Sequence, residues 1–135
     1  MRLISDDALG TLTIWTEAQG ETYIGKVAVG EVIRRRTRQR YSSDGTVAGT
    51  VAKRYQFSAW NDDAQDNALL IKALNLDDLD PIVRACEKAW KESEFSNYSK
   101  GAVLYCNLKT VGQRPAWATQ QNQVAEIGNH TFFRA

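Results

Sequence analysis

Two helical patterns separated by a single glycine occupy the first forty residues, and they require a mainly helical fold. The first helix is predicted over residues 6–18 and ends before Gly20, and the second over residues 23–38. Helix-start signals open the first pattern and apolar residues follow at helical spacing: Ser5, Asp6, Asp7, then Ala8, Leu12 and Trp15. The apolar stripe of the second consists of Ile24, Val27, Ala28 and Ile33.

The rest of the chain is less regular. Residues 41–60 are expected to be irregular, with a short hairpin as one alternative. A third helix is predicted to follow Asp62, Asp63 and Asp66, to run through Ala68, Leu69 and Ile71, and to close at Leu74 and Leu76. Asp80-Pro81 predicts the start of a fourth helix, which fades near Glu92, because aspartate caps free amides and proline suits the first helical position. Residues 102–107 are strand-like. We expect one α+β domain over residues 1–135, with no linker.

Charge and composition exclude several function classes. The 17 Lys and Arg residues against 16 Asp and Glu leave a net charge of +1, which argues against a nucleic-acid partner. The basic run Arg34 to Arg38 is interpreted as complementing the helix dipole. No apolar window is long enough for a membrane span or a signal peptide, so we expect synthesis in the cytoplasm without stable membrane insertion. Cys86 and Cys106 are expected to be reduced.

Two glutamates, Glu17 and Glu21, bracket the glycine between the first two helices, with Trp15 and Tyr23 nearby. A carboxyl group at a helix end beside aromatic rings is poorly solvated as an ion, which raises its pKa towards the value that a general acid needs. Glycosidic bond cleavage uses such an acid. Glutamate at a helix end is also common on solvated surfaces, so local features alone do not establish catalysis.

Short blocks along nearly the whole chain resemble the SleB-type cell-wall hydrolases, a family that includes spore-cortex-lytic enzymes and related phage lysins. The blocks, in order, are Glu17-Ala18-Gln19-Gly20-Glu21, Gly25-Lys26-Val27-Ala28-Val29 leading to Arg36, Gln56-Phe57-Ser58, Gly101-Ala102 with Tyr105 and Asn107, Pro115-Ala116-Trp117, and Ile127-Gly128-Asn129-His130-Thr131-Phe132. Two positions depart from the family pattern. Gln19 stands where arginine is usual, and Arg35 where asparagine is usual, which puts in doubt a polar contact that would brace the second helix.

The resemblance implies a lysozyme-like fold, related to goose-type lysozymes and lytic transglycosylases. It places Glu17 at the family's catalytic glutamate and Glu21 at the second acidic position, and we treat both as catalytic candidates. Aromatic rings and amides suit a glycan groove, so the substrate-binding candidates are Gln56, Phe57, Ser58, Tyr105, Asn107, Trp117 and His130. Core packing is the alternative for the aromatic residues, and a structural role is the alternative for His130. We expect no metal and no cofactor.

The function expected from the resemblance is cleavage of peptidoglycan glycan strands between N-acetylmuramic acid and N-acetylglucosamine, by a monomer with a phage-lysin-like role at the cell wall. As a lytic transglycosylase, Glu17 would act as acid and then as base, and the muramic C6 hydroxyl would form a 1,6-anhydro end. Hydrolysis by a muramidase is the alternative. It would require a second carboxylate roughly 5–5.5 Å away for retention or ~6.5–9.5 Å for inversion, and Glu21 is the nearest in sequence.

Three further alternatives come from other classes. A cysteine peptidase or amidase would use Cys106 with His130 as its base. A zinc amidase is poorly supported, since one histidine and two distant cysteines form no spaced ligand set. A non-catalytic peptidoglycan-binding module would use the same aromatic and amide residues, but it would have no use for a buried acid.

Overall fold

The computed structural model describes residues 4–53, 56–60, 68 and 71–135. The elements in these ranges are helices α1 (Asp6–Ala18), α2 (Tyr23–Gln39), α3 (Val47–Val51) and α4 (Pro81–Glu92), a 3-10 turn at Ser58–Trp60, and strands β1 (Leu104–Cys106), β2 (Gln123–Ile127) and β3 (His130–Phe133). The mainly helical α+β class is therefore confirmed. None of the helices in the described ranges combines the length and the apolar character needed to cross a bilayer.

Side-chain caps determine where the long helices begin. The Ser5 hydroxyl accepts a hydrogen bond from the Ala8 amide at the start of α1, and the Thr22 hydroxyl caps α2 in the same way. At the start of α4, the Asp80 carboxylate accepts from the amides of Ile82 and Val83, with Pro81 in the first helical position. The first, second and fourth predicted helices are confirmed to within one residue.

The segment between residues 41 and 60 differs from one of the two expectations. The hairpin alternative is wrong, because this segment forms α3 and the 3-10 turn. Its polar side chains bind its own backbone: Asp44 accepts from the Thr46 amide, and Thr46 accepts from the Gly49 amide. The first part of the third predicted helix lies outside the described residues, apart from residue 68. The described residues 71–74 are helical.

Trp90 of α4 is the centre of the helical core. A Cβ atom on Gly10 would lie 2.2 Å from the indole Cδ2 atom, so the ring lies directly against the α1 backbone. Its Nε1 atom donates to Asp7 at 2.9 Å, and the Arg34 guanidinium lies 3.8 Å from the centroid of the ring. Burial of Trp90 between α1 and α2 fixes α4 across both helices.

A three-stranded antiparallel sheet packs on the other side of α2. The strand order is β1-β3-β2, and a two-residue turn at Gly128-Asn129 joins β2 to β3. Gly128 has φ +59°, as expected for glycine at the first central position of such a turn. Phe132 of β3 is fully buried with Ala28 and Val32 of α2. The sheet therefore depends on α2 for its position.

Three arginines near the end of α2 connect that helix to the rest of the molecule. Arg34 donates to the Trp90 carbonyl at 2.8 Å, Arg35 to the Ala102 carbonyl at 2.5 Å, and Arg36 to the Val103 carbonyl at 2.5 Å. These guanidinium groups therefore bind carbonyls of other segments, and Arg36, with Arg38, also lies in the last turn of α2, as the helix-dipole interpretation requires.

Arg35 itself provides the polar contact that its departure from the family pattern put in doubt. Besides the Ala102 carbonyl it binds the side chains of Asn97 and Ser99, at 3.0 and 3.2 Å. The adjacent carboxylate of Glu31, which is fully buried, accepts from the Tyr98 and Ser99 amides. The two charges, four residues apart on α2, fix residues 97–102 immediately before β1.

Candidate active site

A buried lysine stabilises the junction between α1 and α2. The Lys26 ammonium group donates to the Gln19 carbonyl at 3.1 Å and to the Glu21 carbonyl at 2.5 Å. The last carbonyls of a helix have no partners within the helix, and a cation at this end also complements the helix dipole. The backbone between Glu17 and Glu21 is therefore held by α2 itself, and the two carboxyl groups lie on a well-anchored turn.

Glu17, on the last turn of α1, is half-buried and contacts β1. The Tyr105 hydroxyl donates to Glu17 Oε1 at 2.5 Å. Burial raises the pKa of Tyr105 well above its usual value, and the neighbouring Glu17 adds to this effect, while Arg36 opposes it. The phenol therefore remains protonated and acts as a fixed donor to one oxygen of Glu17.

Arg36 places a buried cation close to this pair. Its second contact, beyond the Val103 carbonyl, is the Gln56 side chain, whose Oε1 atom accepts at 2.7 Å. Burial lowers the pKa of Arg36, whereas the nearby Tyr105, Tyr41 and Glu17 partly offset this. The sequence interpretation missed this role. Spacing could have indicated it. Arg36 follows the buried residues Val32 and Ile33 by four and three positions, which places it on the same buried face of α2.

Glu21 binds a different part of the sheet. Its two carboxylate oxygens accept from the backbone amide of Asn129 at 2.8 Å and from the Asn129 side-chain amide at 3.0 Å. Burial would raise the pKa of Glu21, but these two bonds, together with His130 and Lys26, lower it overall. Glu21 is consequently a carboxylate at neutral pH.

His130 is the single histidine of the chain. It follows Asn129, which binds Glu21, and lies against Tyr105, which binds Glu17. Its ring centroid is 4.8 Å from that of Tyr105, and it meets Phe132 edge-on at 6.2 Å. Burial lowers the pKa of His130, although Glu21 partly offsets this, so the imidazole is neutral at pH 7. The residue is 9% exposed, and among the described residues its Nδ1 atom has no hydrogen-bond partner.

The other substrate-binding candidates are spread over the molecule. The Gln56 side chain is bound by Arg36, and Ser58 is exposed at the start of the 3-10 turn. Phe57 is 1% exposed and packs in the core, so its ring offers no face to a glycan. The Asn107 side chain accepts from the backbone of its own turn, and Trp117 packs edge-on against Phe133 at 5.3 Å. The contacts thus unite Glu17, Tyr105, His130 and Glu21, with Gln56 attached through Arg36.

The cysteines do not resemble activated nucleophiles. Burial raises the pKa of the Cys106 thiol, with Arg114 partly opposing it, whereas a reactive thiol requires a lowered value. Burial raises the pKa of Cys86 to about 11. Both thiols are free. In the described part of the chain, no cluster of three His, Cys, Asp or Glu residues could hold a metal ion.

Comparison with known proteins identifies relatives of this arrangement. The sequence model of a family described as Cell Wall Hydrolase matches residues 20–133. The catalytic domain of the germination-specific lytic transglycosylase SleB from Bacillus anthracis is 24% identical, with a TM-score of 0.74 over 96% of this chain and 93% of that one. The catalytic domain of the Bacillus cereus SleB protein is 24% identical, with a TM-score of 0.70 over 99% and 94%. No curated protein matches significantly.

These matches confirm two predictions from the sequence. The SleB-type resemblance is confirmed by the family model together with the two structures, and the lysozyme-like α+β fold by the structures. Glu21, Tyr105, Asn129 and His130 lie within the residues that the family model matches. Glu17 lies three residues before that range.

Proposed function

This chain belongs to the cell wall hydrolase family, and we propose that it cleaves peptidoglycan glycan strands between N-acetylmuramic acid and N-acetylglucosamine, with Glu17 as the acid. The observation that carries the proposal is the hydrogen bond from the Tyr105 hydroxyl to Glu17, on a half-buried turn beside a neutral imidazole. This hydrogen bond orients the carboxyl group of Glu17, and the Tyr105 hydroxyl that donates it remains protonated. The SleB domain from Bacillus anthracis, described as a lytic transglycosylase, has the same fold and supports this reaction class.

The proposed reaction needs one carboxyl group. Protonated Glu17 donates its proton to the glycosidic oxygen, and the bond from that oxygen to the muramic C1 atom breaks as an oxocarbenium-like centre develops. The Glu17 carboxylate then accepts the proton of the muramic C6 hydroxyl while the C6 oxygen attacks C1. The product is a 1,6-anhydro sugar, and Glu17 is protonated again. The Tyr105 hydroxyl stabilises the carboxylate form between the two steps.

The surroundings of Glu21 favour this route over hydrolysis. A hydrolytic mechanism needs a second carboxylate as nucleophile or as base for water. Both oxygens of Glu21 accept hydrogen bonds from Asn129, which lowers their basicity and restrains their orientation. With Glu21 restrained in this way, we propose internal attack by the C6 hydroxyl, whose orientation makes it effectively very concentrated.

The substrate contacts and the biological role are also part of the proposal. His130 remains a candidate through its position beside Tyr105, and Gln56, Ser58, Asn107 and Trp117 remain candidates for the same groove. Tyr105 is proposed to act on Glu17 rather than on sugar. We also propose that a monomer acts on the wall as a lysin.

Product analysis tests the reaction. Purified protein incubated with isolated sacculi should lower their turbidity, and mass spectrometry of the released muropeptides should find 1,6-anhydro ends. Reducing ends, heavier by one water, would establish hydrolysis instead. Unchanged turbidity would support a binding module.

Two substitutions test the assignment of residues. Glu17→Gln should lower the rate at least ~100-fold with the fold intact, because the amide has nearly the same shape but cannot donate the proton. Cys106→Ala is the matched control and should retain the wild-type rate. A cysteine peptidase would show the reverse pattern.

A further inference from the structure

We propose that Glu21 is a positioning residue, whose carboxylate clasps the β2–β3 turn and so fixes His130 and Tyr105 against Glu17. This inference rests on the proposed function of Glu17 as the acid. Under this proposal the second acidic position of the motif orients other residues of the site and takes no part in the bond cleavage itself.

The clasp is a paired contact across the molecule. Glu21 lies 108 positions before Asn129, yet its two oxygens bind the two amide groups of that one residue. The turn is shaped to accept it, since a Cβ atom on Gly128 would lie 2.6 Å from Glu21 Oε1. The Asn129 side chain is oriented for the contact, because its Oδ1 atom accepts from Lys109 Nζ at 3.3 Å while its amide faces Glu21.

The clasp is connected to Glu17 by three successive contacts. Asn129 immediately precedes His130, the first residue of β3. The His130 ring lies against the Tyr105 ring, whose centroid is 4.8 Å away, and the Tyr105 hydroxyl binds Glu17. A displaced turn therefore shifts the imidazole, then the phenol, and then the acid. Small misplacements are costly in rate, because a shift of about 1 Å can reduce catalysis roughly 100-fold.

Glu21 and Asn129 are each held by further contacts, so the bonds between them fix the turn relative to the end of α1. On one side Lys26 fixes the backbone of Glu21 by binding its carbonyl. On the other side β3 is the central strand, paired with both neighbours. The charge of Glu21 supports the same role, since hydrogen bonds from Asn129 favour the ionised form, which accepts hydrogen bonds from two donors and has no proton to give.

Exchanging the two partners tests the clasp without removing it. In Asn129→Asp two carboxylates face each other, and the rate should fall roughly 100-fold or more. In Glu21→Gln an amide faces an amide, and the rate should fall roughly tenfold. The double variant Glu21→Gln/Asn129→Asp restores one donor against one acceptor and moves the charge to the other side. Its rate should return to within about threefold of wild type.

The initial rate on sacculi at saturating and at limiting substrate separates positioning from binding. Loss of the clasp should lower the saturating rate, and the substrate concentration for half-maximal rate should change little. If Glu21 were itself a base or nucleophile, the double variant would stay as inactive as Glu21→Gln or worse, which would overturn the proposal. The double variant decides the matter even if Asn129→Asp does not fold.

Two further variants, measured in parallel, distinguish failure of the clasp from loss of stability and from failure of the proposed function. Asp80→Ala removes the cap of α4 and should lower thermal stability while leaving the rate unchanged; an equal loss of rate there would assign the clasp effect to stability alone and overturn the proposal. Glu17→Gln is measured on the same sacculi. If Glu17→Gln is inactive and the double variant is not rescued, the clasp fails alone. If Glu17→Gln is active, the proposed function fails.

Discussion

The end of α1 around Glu17 and the turn around Glu21 use the same side chain in two different environments. Glu17 accepts from a phenol that burial keeps protonated, close to the buried cation of Arg36. Glu21 accepts from two amide groups of a turn, close to Lys26 and His130. The first environment orients a carboxyl group beside the sheet, whereas the second uses a carboxylate to hold the sheet in place.

The comparison shows that spacing in a motif does not assign chemical roles. Glu17 and Glu21 stand four residues apart and are indistinguishable as isolated residues. Their partners come from β1 and from the β2–β3 turn, which lie far along the chain. In the proposed division of roles, these partners leave Glu17 to exchange a proton and fix Glu21 as an acceptor.

The largest expected effect comes from shortening each glutamate in turn. Glu17→Asp withdraws the carboxyl group from Tyr105 by one methylene, and we expect at least a ~100-fold loss of rate on sacculi, since the acid must reach the glycosidic oxygen. Glu21→Asp stretches the clasp and should lose roughly tenfold. Equal losses in the two variants, measured under the same conditions, would contradict the division of roles.

Removing the phenol hydroxyl tests the Glu17 side alone. Tyr105→Phe keeps the ring against His130 and Phe132 but deletes the donor to Glu17. We expect the activation free energy to rise by about 1.5–3 kcal/mol because the Glu17 carboxyl group is less well oriented. The rate should therefore fall roughly 10–100-fold. Tyr23→Phe is the matched control, because the Tyr23 hydroxyl also lies beside a carboxylate, that of Glu92. It should leave the rate unchanged, and a similar loss in both variants would show that the effect is structural.

Two glycines test the Glu21 side. Gly128 combines φ +59° with contact to Glu21, whereas Gly101 has φ +84° and open space where a Cβ atom would be. Gly101→Ala should lower the free energy of unfolding by about 1–2 kcal/mol through backbone strain alone and leave the rate unchanged. Gly128→Ala should lower both the free energy of unfolding and the rate. Urea titration and sacculus assays check this, and an unchanged rate in Gly128→Ala would exclude tight coupling of the turn to the site.

Local signals predicted much of the fold. Ser5 and Asp80 revealed where α1 and α4 begin, because capping involves residues close in sequence. The same kind of local bonding made the hairpin alternative wrong, since the hydroxyl of Thr46 caps a short helix there. The family resemblance placed Glu17 and Tyr105 in one site before any geometry was available.

The contacts that assemble the site could not be predicted from one sequence. Glu21 binds Asn129 across 108 positions, and Arg36 binds Val103 across 67. Such pairs depend on how α2 meets the sheet, which periodicity does not specify. Phe57 illustrates the same limit, because an aromatic residue in a substrate block and one in the core look alike until burial is known.

The smallest expected effect is a change in the pKa of His130, which proton NMR can measure without ambiguity because the chain has one histidine. Burial should place this pKa below the usual value of about 6.5. Glu21 raises it, so Glu21→Gln should lower it further, while Glu87→Gln on the exposed face of α4 should not change it. Because protonating this imidazole is harder in the folded state, its contribution to stability is complete above about pH 6.5 and is lost as the pH falls through the folded pKa. A pKa that stayed unchanged in Glu21→Gln would mean that the carboxylate and the imidazole do not sense each other, and the link between the clasp and Tyr105 would then be broken at its first step.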